Sequence, residues 1–428
     1  MRILLTGASG FIGRHIAAAL GAAGHEVTAA IRNPARAKLN IAAQDFIAVD
    51  FQKDITATVW QDRLNNIDVV INAVGIISET PHQKFSNLHS KTPCALFKAC
   101  EKSGVKKVIQ ISALGAEDSS TSRYHKTKKA ADDCLSLLDL DWVILHPSVV
   151  YGQGAASSEF FRALSALPLI PLIGNGQQKM QPIHIDDLSQ AIVNLLEPGA
   201  VLRTHINAVG PTPISFKAML SSYRRWLGFK KTIQFAVPEL LIRISAQLGQ
   251  FIPGSLLTPE NIQMMSGGNT APVEPFTQQT DVKPRRMETA LTQYPATEAD
   301  RWHASLFFLR PLLRICIGLL WLSSGLISLF IYPVESSYAL LAQLGFEKTL
   351  APVALYGAAG LDIVLGLATL ANYRIVTIGF LQIIVMIVYT TLITIGLPEH
   401  WTHPFGPITK NIPLIVSTLI MISFERKT

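Results

Sequence analysis

The sequence predicts an α/β domain built on a doubly wound parallel sheet with a small substrate lobe, followed by an all-α transmembrane domain of four helices. In the first 150 residues, short apolar runs alternate with helix-length segments, which is the pattern of parallel strands joined by helices. Beyond residue 305 the apolar runs are longer, and only 7 of the 37 basic and 5 of the 30 acidic residues lie there. The two parts of the chain are therefore expected to fold in different solvents.

The overall composition indicates a protein that is partly embedded in a membrane. Charged residues make up 16% of the chain and the mean hydropathy is +0.31, whereas soluble domains carry roughly 25% charged residues. The net charge of +7 is not concentrated in a Lys/Arg tract, so we expect a lipid bilayer and no nucleic acid as partner. The four cysteines show neither CxxC nor Cys/His spacing, which predicts reduced, structural thiols and no metal site.

Changes of amino-acid composition along the chain predict three segments. Residues 1–150 would form the core of the sheet, and residues 306–428 the transmembrane domain. Residues 151–305 contain loops rich in Pro and Gly, which favour a substrate lobe and connecting segments that partly return to the sheet.

A glycine-rich turn with the spacing GxxGxxG follows the first apolar run. Gly7 would permit the tight turn, Gly10 the approach of backbone to a pyrophosphate, and Gly13 close packing of the next helix. That helix would offer free N–H groups to the phosphates at its N-terminus, and this predicts a dinucleotide site. A turn whose glycines serve packing alone is the alternative. The residues assigned to the site are Gly7, Ser9, Gly10, Phe11, Ile12 and Gly13.

The end of the second strand distinguishes the two nicotinamide dinucleotides. Arg32 follows the strand, with Arg36 and Lys38 nearby and no carboxylate close in sequence. A guanidinium suits a ribose 2'-phosphate, so NADP(H) is favoured, with NAD(H) and a solvated basic turn as alternatives. Asp50 follows the third strand and is assigned to the adenine amine, although a strand-end cap would have the same appearance.

A YxxxK pair is the candidate for catalysis. Tyr124 and Lys128 are four residues apart, so on a helix they share one face. The lysine charge is expected to lower the pKa of the phenol and make Tyr124 a general acid/base, while Ser112 at a strand end would hold a substrate oxygen. The alternative is the solvated start of a lysine-rich helix.

Further candidates follow later strands. Ala73 and Gly75 after the fourth strand, and Pro147 and Ser148 after a strand that ends at His146, are assigned to cofactor binding. His184 with Asp186 and Asp187 has the residue types of a metal site, but a helix N-cap explains the aspartates better.

Long apolar runs near residues 311–332, 350–372, 375–398 and 411–424 are predicted to span a membrane. The first three are long enough for a hydrocarbon core of about 30 Å, and the last is short. The chain has no room for a signal peptide before Arg2, so we expect the N-terminal domain in the cytoplasm. Four spans then place both termini there, as the positive-inside rule requires. The basic residues expected on the cytoplasmic side are Arg310, Arg314, Arg374, Arg426 and Lys427, and those expected on the opposite side are Lys348 and Lys410.

Two charged residues lie within these runs. Arg314 and Asp362 are functional candidates because charge in lipid is costly, and mutual pairing is the simplest structural explanation.

Several ordered motifs over roughly residues 1–300 resemble the extended or atypical short-chain dehydrogenase/reductase superfamily. These are residues 6–13, the YHKTK segment at 124–128, HPSVVYG at 146–152 and QPIHIDDL at 181–188. Residues 111–116 and 257–261 are similar to the branch of the nucleotide-binding accessory subunit of respiratory complex I. Residues 302–314 and 406–413 resemble the DoxX-like four-helix membrane family. The fusion of such a domain to a reductase-like domain is known from bacterial proteins.

The resemblance implies a Rossmann domain that binds NAD(P) and a bacterial inner (cytoplasmic) membrane location. The leading hypothesis is a membrane-anchored NADP(H)-dependent oxidoreductase or epimerase acting on a lipophilic or quinone-like substrate. The rival is a non-catalytic NADP(H)-bound assembly or sensor subunit of a membrane redox complex, because the complex I relatives bind the nucleotide structurally. A third hypothesis gives the redox role to the membrane domain, with the Rossmann domain as its regulator.

Overall fold

A seven-stranded parallel sheet forms the centre of the N-terminal part of the chain. The computed structural model describes residues 1–37, 41–250, 256–266, 268–346, 349–404 and 406–425. Within these residues the chain divides into two units, Met1–Ala304 and Ser305–Thr428. The charges expected at Lys38, Lys348, Arg426 and Lys427 lie outside the described residues, as does the side chain of Arg36.

The strands of the first unit include seven that form this sheet and six short ones that pair outside it. The sheet strands are β1 (Arg2–Thr6), β2 (Glu26–Ile31), β3 (Asp45–Ala48), β4 (Val69–Asn72), β5 (Lys107–Ile111), β6 (Asp141–Pro147) and β11 (Thr204–Ala208). The others are β7 (Val150–Tyr151), β8 (Ile170–Ile173), β9 (Lys179–Met180), β10 (Ile183–His184), β12 (Ile214–Ser215) and β13 (Gln234–Val237).

Both faces of the sheet are covered by helices, which explains the nearly continuous apolar character of its strands. Ile3 and Leu5 of β1 enter one core, which also contains residues of α1, α7 and α11. Leu4 enters the opposite core, with residues of α3, α4 and α5. The α-helices described up to residue 306 are α1 (Phe11–Ala22), α2 (Pro34–Ala37), α3 (Thr58–Gln61), α4 (Thr92–Lys102), α5 (Arg123–Ser136), α6 (Ala156–Ala166), α7 (Ile185–Asn194), α8 (Phe216–Trp226), α9 (Glu239–Gly249), α10 (Pro259–Ser266), α11 (Glu274–Thr280), α12 (Met287–Gln293) and α13 (Glu298–Leu306).

The strand order is β11-β6-β5-β4-β1-β2-β3, with every neighbouring pair parallel. The order reverses at β1, which lies between β2 and β4, so the sheet is doubly wound and the predicted fold class is confirmed. Strand β11 comes from residues beyond 200 and completes one edge. The short strand pairs β7–β10, β8–β13 and β9–β12 build the region beside this sheet.

One prediction about the cysteines is wrong. Cys94 of α4 and Cys134 of α5 form a disulfide with their Cα atoms 5.8 Å apart, while Cys100 and Cys316 are free thiols. The pairing depends on α4 packing beside α5, which no local spacing of cysteines reveals.

The second unit is helical and apolar. Three of its helices are long and apolar enough to cross a membrane, Leu309–Phe330, Leu350–Leu370 and Ile375–Gly396, and Asn411–Glu425 is a shorter apolar helix. The predicted all-α fold of the C-terminal part is therefore confirmed, with three helices of the length and apolar character of a membrane span. The helices of the unit are α14 (Leu309–Phe330), α15 (Val334–Gln343), α16 (Leu350–Leu370), α17 (Ile375–Gly396) and α18 (Asn411–Glu425).

Glycines let α14 and α16 approach closely. A Cβ atom at Gly325 would lie 2.5 Å from the carbonyl oxygen of Ala359, and one at Gly366 would lie 2.6 Å from the backbone nitrogen of Leu322. Small residues at such contacts allow backbones to pack where lipid provides no hydrophobic driving force. The register of the pair follows from these contacts.

Candidate functional site

A cleft of about 190 Å³ opens at the carboxyl edge of the sheet, where the strand order reverses beside β1. Open α/β sheets bind their ligands at such switch points. Seven of the residues that the sequence assigns to a cofactor line this cleft: Gly7, Ser9, Gly10, Arg32, Asp50, Ala73 and Gly75.

The glycine turn is closely packed. Gly7 has a φ of 72°, and a Cβ atom there would lie 2.7 Å from the carbonyl carbon of Ala73. A Cβ atom at Gly13 would lie 2.2 Å from the carbonyl oxygen of Gly7. Gly10 is the N-cap of α1 and offers no side-chain hydrogen bond. The first N–H groups of α1, including those of Phe11 and Ile12, therefore lack a side-chain cap, which fits a pyrophosphate.

The two residues expected to contact the adenosine half differ in their surroundings. Arg32 is exposed on the cleft and forms no ion pair with any described residue. Asp50 accepts a hydrogen bond from the backbone nitrogen of Gln52 at 2.9 Å and lies 3.9 Å from the ammonium of Lys53. The carboxylate of Asp50 thus stabilises the turn after β3, in agreement with the alternative of a strand-end cap.

Lys128 points from α5 towards the cleft. Helix α5 begins after Ser122, whose hydroxyl accepts from the backbone nitrogen of His125. The buried ammonium of Lys128 donates to the carbonyl oxygens of Val74 at 3.1 Å and Ile111 at 2.9 Å. A Cβ atom at Gly75 would lie 3.4 Å from this ammonium. The lysine therefore lies beside the loop that lines the cofactor cleft.

Ser112 faces a residue that the sequence analysis did not consider. Its hydroxyl donates a short hydrogen bond to the carboxylate of Asp132, which lies one turn after Lys128 on the same face of α5. Gln110 donates to the other oxygen of Asp132 at 3.4 Å and accepts from Asn72 at 2.7 Å. Thr6 extends this series of hydrogen bonds to β1, because its hydroxyl donates to the side-chain oxygen of Asn72 at 2.6 Å. A buried polar network thus connects β1, β4 and β5 to α5.

Lys128 and Asp132 are both buried, and the attraction between their opposite charges reduces the cost of that burial. Burial lowers the pKa of Lys128 and raises the pKa of Asp132, while the attraction between the two shifts each pKa the other way. Buried charges persist only when paired and hydrogen-bonded. The hydrogen bonds of Lys128 to Ile111 and of Ser112 to Asp132 therefore fix the inner face of α5 against the sheet.

Tyr124 lies at the start of α5 among other aromatic rings. Its ring contacts Phe85, His89 and His125 edge to face, at centroid distances of 6.0, 5.2 and 5.3 Å. Burial raises the pKa of Tyr124 to about 12, and the charge of Asp132 adds to the effect. The expectation that Lys128 lowers this pKa is wrong, because burial and the charge of Asp132 both raise it.

His89 is the second residue that the sequence analysis missed. It lies in a π-helical turn over Ser86–Lys91, where its Nε2 accepts from the backbone nitrogen of Ile76 at 3.0 Å. Its Nδ1 lies 3.2 Å from the hydroxyl of Thr127. Burial, and then the charge of Lys128, lower the pKa of His89 to about 2.

The i+4 spacing of Asp132 from Lys128 was a sequence signal that could have identified Asp132, whereas nothing in the local sequence identifies His89.

The remaining candidates lie away from the cleft lining. Pro147 ends β6 and accepts from the backbone nitrogen of Leu114, and Ser148 donates to the carbonyl of Gln181. His184, not an aspartate, caps α7 by accepting from the backbone nitrogen of Asp186.

Asp187 instead binds the guanidinium of Arg285 at 2.8 Å. Among the residues that the structure describes, no three His, Cys, Asp or Glu side chains are grouped closely enough to hold a metal ion.

Comparison with protein families identifies both parts of the chain. A family described as NAD(P)H-binding matches residues 7–166, and the DoxX-like family matches residues 318–419. The N-terminal unit is therefore a Rossmann domain similar to an NAD(P)H-binding family, and the C-terminal unit contains a DoxX-like region. The predicted fusion is confirmed, and the DoxX-like region together with three long apolar helices indicates a membrane protein.

Two curated relatives match the N-terminal unit. The mitochondrial NADH dehydrogenase (ubiquinone) 1 alpha subcomplex subunit 9 of Arabidopsis thaliana is 29% identical over 198 residues, which are 45% of this chain and 49% of that protein. The ceramide reductase of Caulobacter vibrioides is 25% identical over 193 residues, 45% of this chain and 59% of that protein. The chain thus spans about half the length of these relatives.

A solved structure supports the fold. UDP-glucuronic acid 4-epimerase from Bacillus cereus, in complex with UDP-glucuronic acid and NAD, has a TM-score of 0.51 at 20% identity, covering 72% of this chain and 100% of that chain. At this identity the likeness shows the fold alone.

Proposed function

We propose that the protein is a membrane-anchored NADP(H)-dependent oxidoreductase or epimerase that acts on a lipophilic or quinone-like substrate. The observation that carries the proposal is the position of Lys128, whose ammonium lies against the loop at Gly75 in the cofactor cleft. Tyr124 precedes it by one turn of the same helix. The relative named ceramide reductase supports a lipophilic substrate.

The state of Tyr124 favours the reductive direction. Because burial raises its pKa to about 12, the phenol keeps its proton at neutral pH and serves as an acid. NADPH supplies a hydride from C4 of the nicotinamide when bound. Tyr124 then donates its proton to the carbonyl oxygen of the substrate, and Lys128 orients the ribose beside Gly75. Ser112 positions α5 through Asp132.

The proposed cofactor preference depends on Arg32. Its guanidinium is exposed on the cleft and unpaired with the described residues, so it is free to form bidentate hydrogen bonds with a 2'-phosphate. An acidic residue that would bind the 2'-hydroxyl of NAD is not present at this position. NADPH should therefore bind more tightly than NADH.

Turnover by the full-length protein in lipid nanodiscs tests the activity. We expect oxidation of NADPH with at least one member of a panel of quinones, lipid ketones and sugar nucleotides, and a rate at least 100-fold lower in Tyr124→Phe. Tyr294→Phe is the matched control, because it removes an exposed phenol that bonds Asp186 and lies outside helix α5, which holds Tyr124 and Lys128. NADPH that binds but is not oxidised, equally in wild type and Tyr124→Phe, would contradict the proposal.

A second candidate is a non-catalytic NADP(H)-bound subunit of a membrane redox complex. It is favoured by the engagement of Ser112 with Asp132, which withdraws the serine hydroxyl from substrate, and by the complex I relative. Under this function Tyr124→Phe has no phenotype, whereas Gly10→Asp prevents binding and lowers thermal stability, since bound ligand stabilises the folded state. Co-purification of partner subunits with the wild-type chain from native membranes would support it.

We further infer a bacterial inner-membrane location with four spans and both termini in the cytoplasm. Arg310, Arg314 and Arg374 all lie at helix ends that share one side in an antiparallel bundle. Helix α18 has 15 residues and is about 22 Å long, so the fourth span requires a locally thinner bilayer. Reporter fusions after residues 304 and 425 test the placement, and a periplasmic signal from either would contradict it.

The Cys94–Cys134 disulfide bears on the same placement, because disulfides are rare in the bacterial cytoplasm. Because the structure bonds these two sulfurs, a cytoplasmic location requires that cellular reductants open the bond, which trapping of thiols at lysis measures. Their complete oxidation would argue for the opposite side of the membrane.

A further inference from the structure

Asp362 lies inside the helical bundle, within the otherwise apolar helix α16. Its buried carboxylate accepts from the hydroxyl of Ser324 on α14 at 2.9 Å and from the hydroxyl of Tyr389 on α17 at 3.3 Å. The pairing with Arg314 expected from sequence is wrong. A carboxylate in a spanning helix is costly and is retained where it has a function.

Polar residues recur at seven-residue intervals from this carboxylate. Thr369 lies seven residues after Asp362, and Gln382 seven residues before Tyr389. Seven residues make about two helical turns, or about 10 Å, so each pair lies on one face. Gln382 donates to the hydroxyl of Thr369 at 2.8 Å, and both side chains are fully buried. A second polar layer therefore lies about two turns from Asp362.

Two buried polar atoms of this part of the bundle have no hydrogen-bond partner among the described residues, the side-chain oxygen of Gln382 in the second layer and the indole nitrogen of Trp321. Trp321 precedes Ser324 by three residues on the same face of α14 and packs in one apolar cluster with Leu365. An acceptor and a donor are therefore left available near the two layers, and water could use them to connect the layers.

The polar side chains continue towards the opposite end of the bundle. Thr390 follows Tyr389 and accepts from the side-chain nitrogen of Asn411 on α18 at 2.8 Å. Thr394, one turn further on α17, accepts from the indole of Trp401 at 3.0 Å. At the other end, the Nε of Arg314 has no partner among the described residues and lies two turns before Trp321 on α14. We call this series from Arg314 to Trp401 the polar track.

We propose that the polar track is a proton pathway through the bundle, with Asp362 as its central proton acceptor. The carboxylate takes up one proton from one side and becomes a carboxylic acid. The proton leaves to the other side as the hydroxyl of Tyr389 turns to accept it and releases its own proton towards the opposite end of the bundle. One positive charge crosses per cycle, and nothing is oxidised or reduced.

Among the described residues, Tyr389 is the titratable group that bonds the acceptor, and no other titratable or charged group forms a hydrogen bond or ion pair with it. On the helices packed against α16 these groups are Arg310, Arg314 and Cys316 on α14, Glu335 and Tyr338 on α15, Arg374 just before α17, and Tyr389 on α17. Of them Tyr389 bonds Asp362. Arg310 pairs with Glu425 at 3.0 Å. Titration of the pathway should therefore be assigned to Asp362.

The test uses the full-length protein in sealed vesicles of phosphatidylethanolamine and phosphatidylglycerol with a pH-sensitive dye inside. A potassium diffusion potential drives the protons. We expect proton entry at least fivefold faster than in protein-free vesicles, reduced to the protein-free rate by Asp362→Asn and several-fold by Tyr389→Phe. Glu335→Gln, which removes an exposed carboxylate of α15, should leave the rate unchanged.

Wild-type vesicles no faster than protein-free ones, or equal rates in wild type and Asp362→Asn, would overturn the proposal. Asp362→Glu keeps the carboxylate and should keep more than half of the rate, which separates loss of the acceptor from loss of folding. Infrared difference spectra give a second readout. A carboxylic acid band that titrates in wild type and is absent in Asp362→Asn is expected, and the same band in both proteins would contradict the assignment.

Discussion

The two units of the chain each bury an aspartate, and they stabilise it differently. In the Rossmann domain, Asp132 has the ammonium of Lys128 one turn away and accepts from Ser112 and Gln110. In the bundle, Asp362 accepts from two hydroxyls and forms no ion pair with any described residue. The ammonium near Asp132 opposes the rise that burial causes in the pKa of that carboxylate, whereas no charged group among the described residues forms an ion pair with Asp362.

The difference indicates two kinds of buried polar network. The network of the sheet is closed, because each of its members has a partner within the domain and Lys128 also bonds two backbone carbonyls. The polar track is open, since it retains unpartnered atoms at Gln382 and Trp321. We therefore expect changes in the first network to affect folding and cofactor binding, and changes in the second to affect transport with little effect on the first.

The largest effect is expected from Gly13→Ala, which alters the cofactor-binding turn of the Rossmann domain. The new Cβ atom would lie 2.2 Å from the backbone oxygen of Gly7, so the turn must move and NADPH binding should be lost. Titration of intrinsic fluorescence with NADPH measures it. Gly21→Ala on the same helix is the control, because nothing lies within 4 Å of its Cβ position, and there about 1 kcal/mol of stabilisation is expected. Equal affinity in both variants would contradict the packing argument.

Asp132→Asn should cost about 3 kcal/mol of unfolding free energy, because it leaves Lys128 buried without its counter-charge. Thermal melts of the full-length protein in detergent measure the loss. The neighbouring Asp133→Asn removes an exposed partner of Lys129 and should change stability by less than about 1 kcal/mol. If the two variants melt alike, the closed network does not stabilise the domain.

Arg32→Glu should reverse the cofactor preference. Loss of charge-assisted hydrogen bonds to a 2'-phosphate costs about 1.5–3 kcal/mol, or roughly 10- to 100-fold in the affinity for NADPH. Affinity for NADH should rise or stay constant. Calorimetric titration with both nucleotides gives the ratio. An unchanged ratio would support the alternative of a solvated basic turn at Arg32.

The smallest effect, counted per pH unit, is expected for His89 in acid. Burial lowers its pKa from 6.5 to about 2, so the folded protein keeps the ring neutral while the unfolded chain binds a proton below pH 6.5. Stability should therefore fall as the pH drops below 6.5 towards 2. His89→Gln should reduce this slope by about 1.4 kcal/mol per pH unit. His146, with a pKa lowered to about 4 by burial, keeps part of the slope. His82→Gln, at an exposed site, is the control, and equal slopes in both variants would contradict the role of His89.

The fold was predictable because its signals are local. Alternating apolar runs and the glycines at 7, 10 and 13 identify the sheet and the cofactor turn without knowledge of distant contacts. Asp132 was missed because its function depends on α5 meeting Ser112 at the end of β5. Cys94 and Cys134 are 40 residues apart and meet only because α4 packs beside α5.

The failed pairing of Arg314 with Asp362 has a geometric reason. The contact of Gly325 with Ala359 fixes the register of α14 against α16 and brings Ser324 to the level of Asp362. Arg314 lies ten residues earlier, about 15 Å away along the helix axis. Hydropathy identifies a span but contains no information about its register.

Transfer of deuterium tests the central claim most directly. The full-length protein in native lipid extract is supplied with NADPH deuterated at C4 of the nicotinamide, and the lipids are analysed by mass spectrometry. The account predicts one deuterium in a lipid product with the wild-type chain and none with Tyr124→Phe. Bound NADPH that retains its deuterium while no lipid gains any would contradict it and favour the non-catalytic subunit.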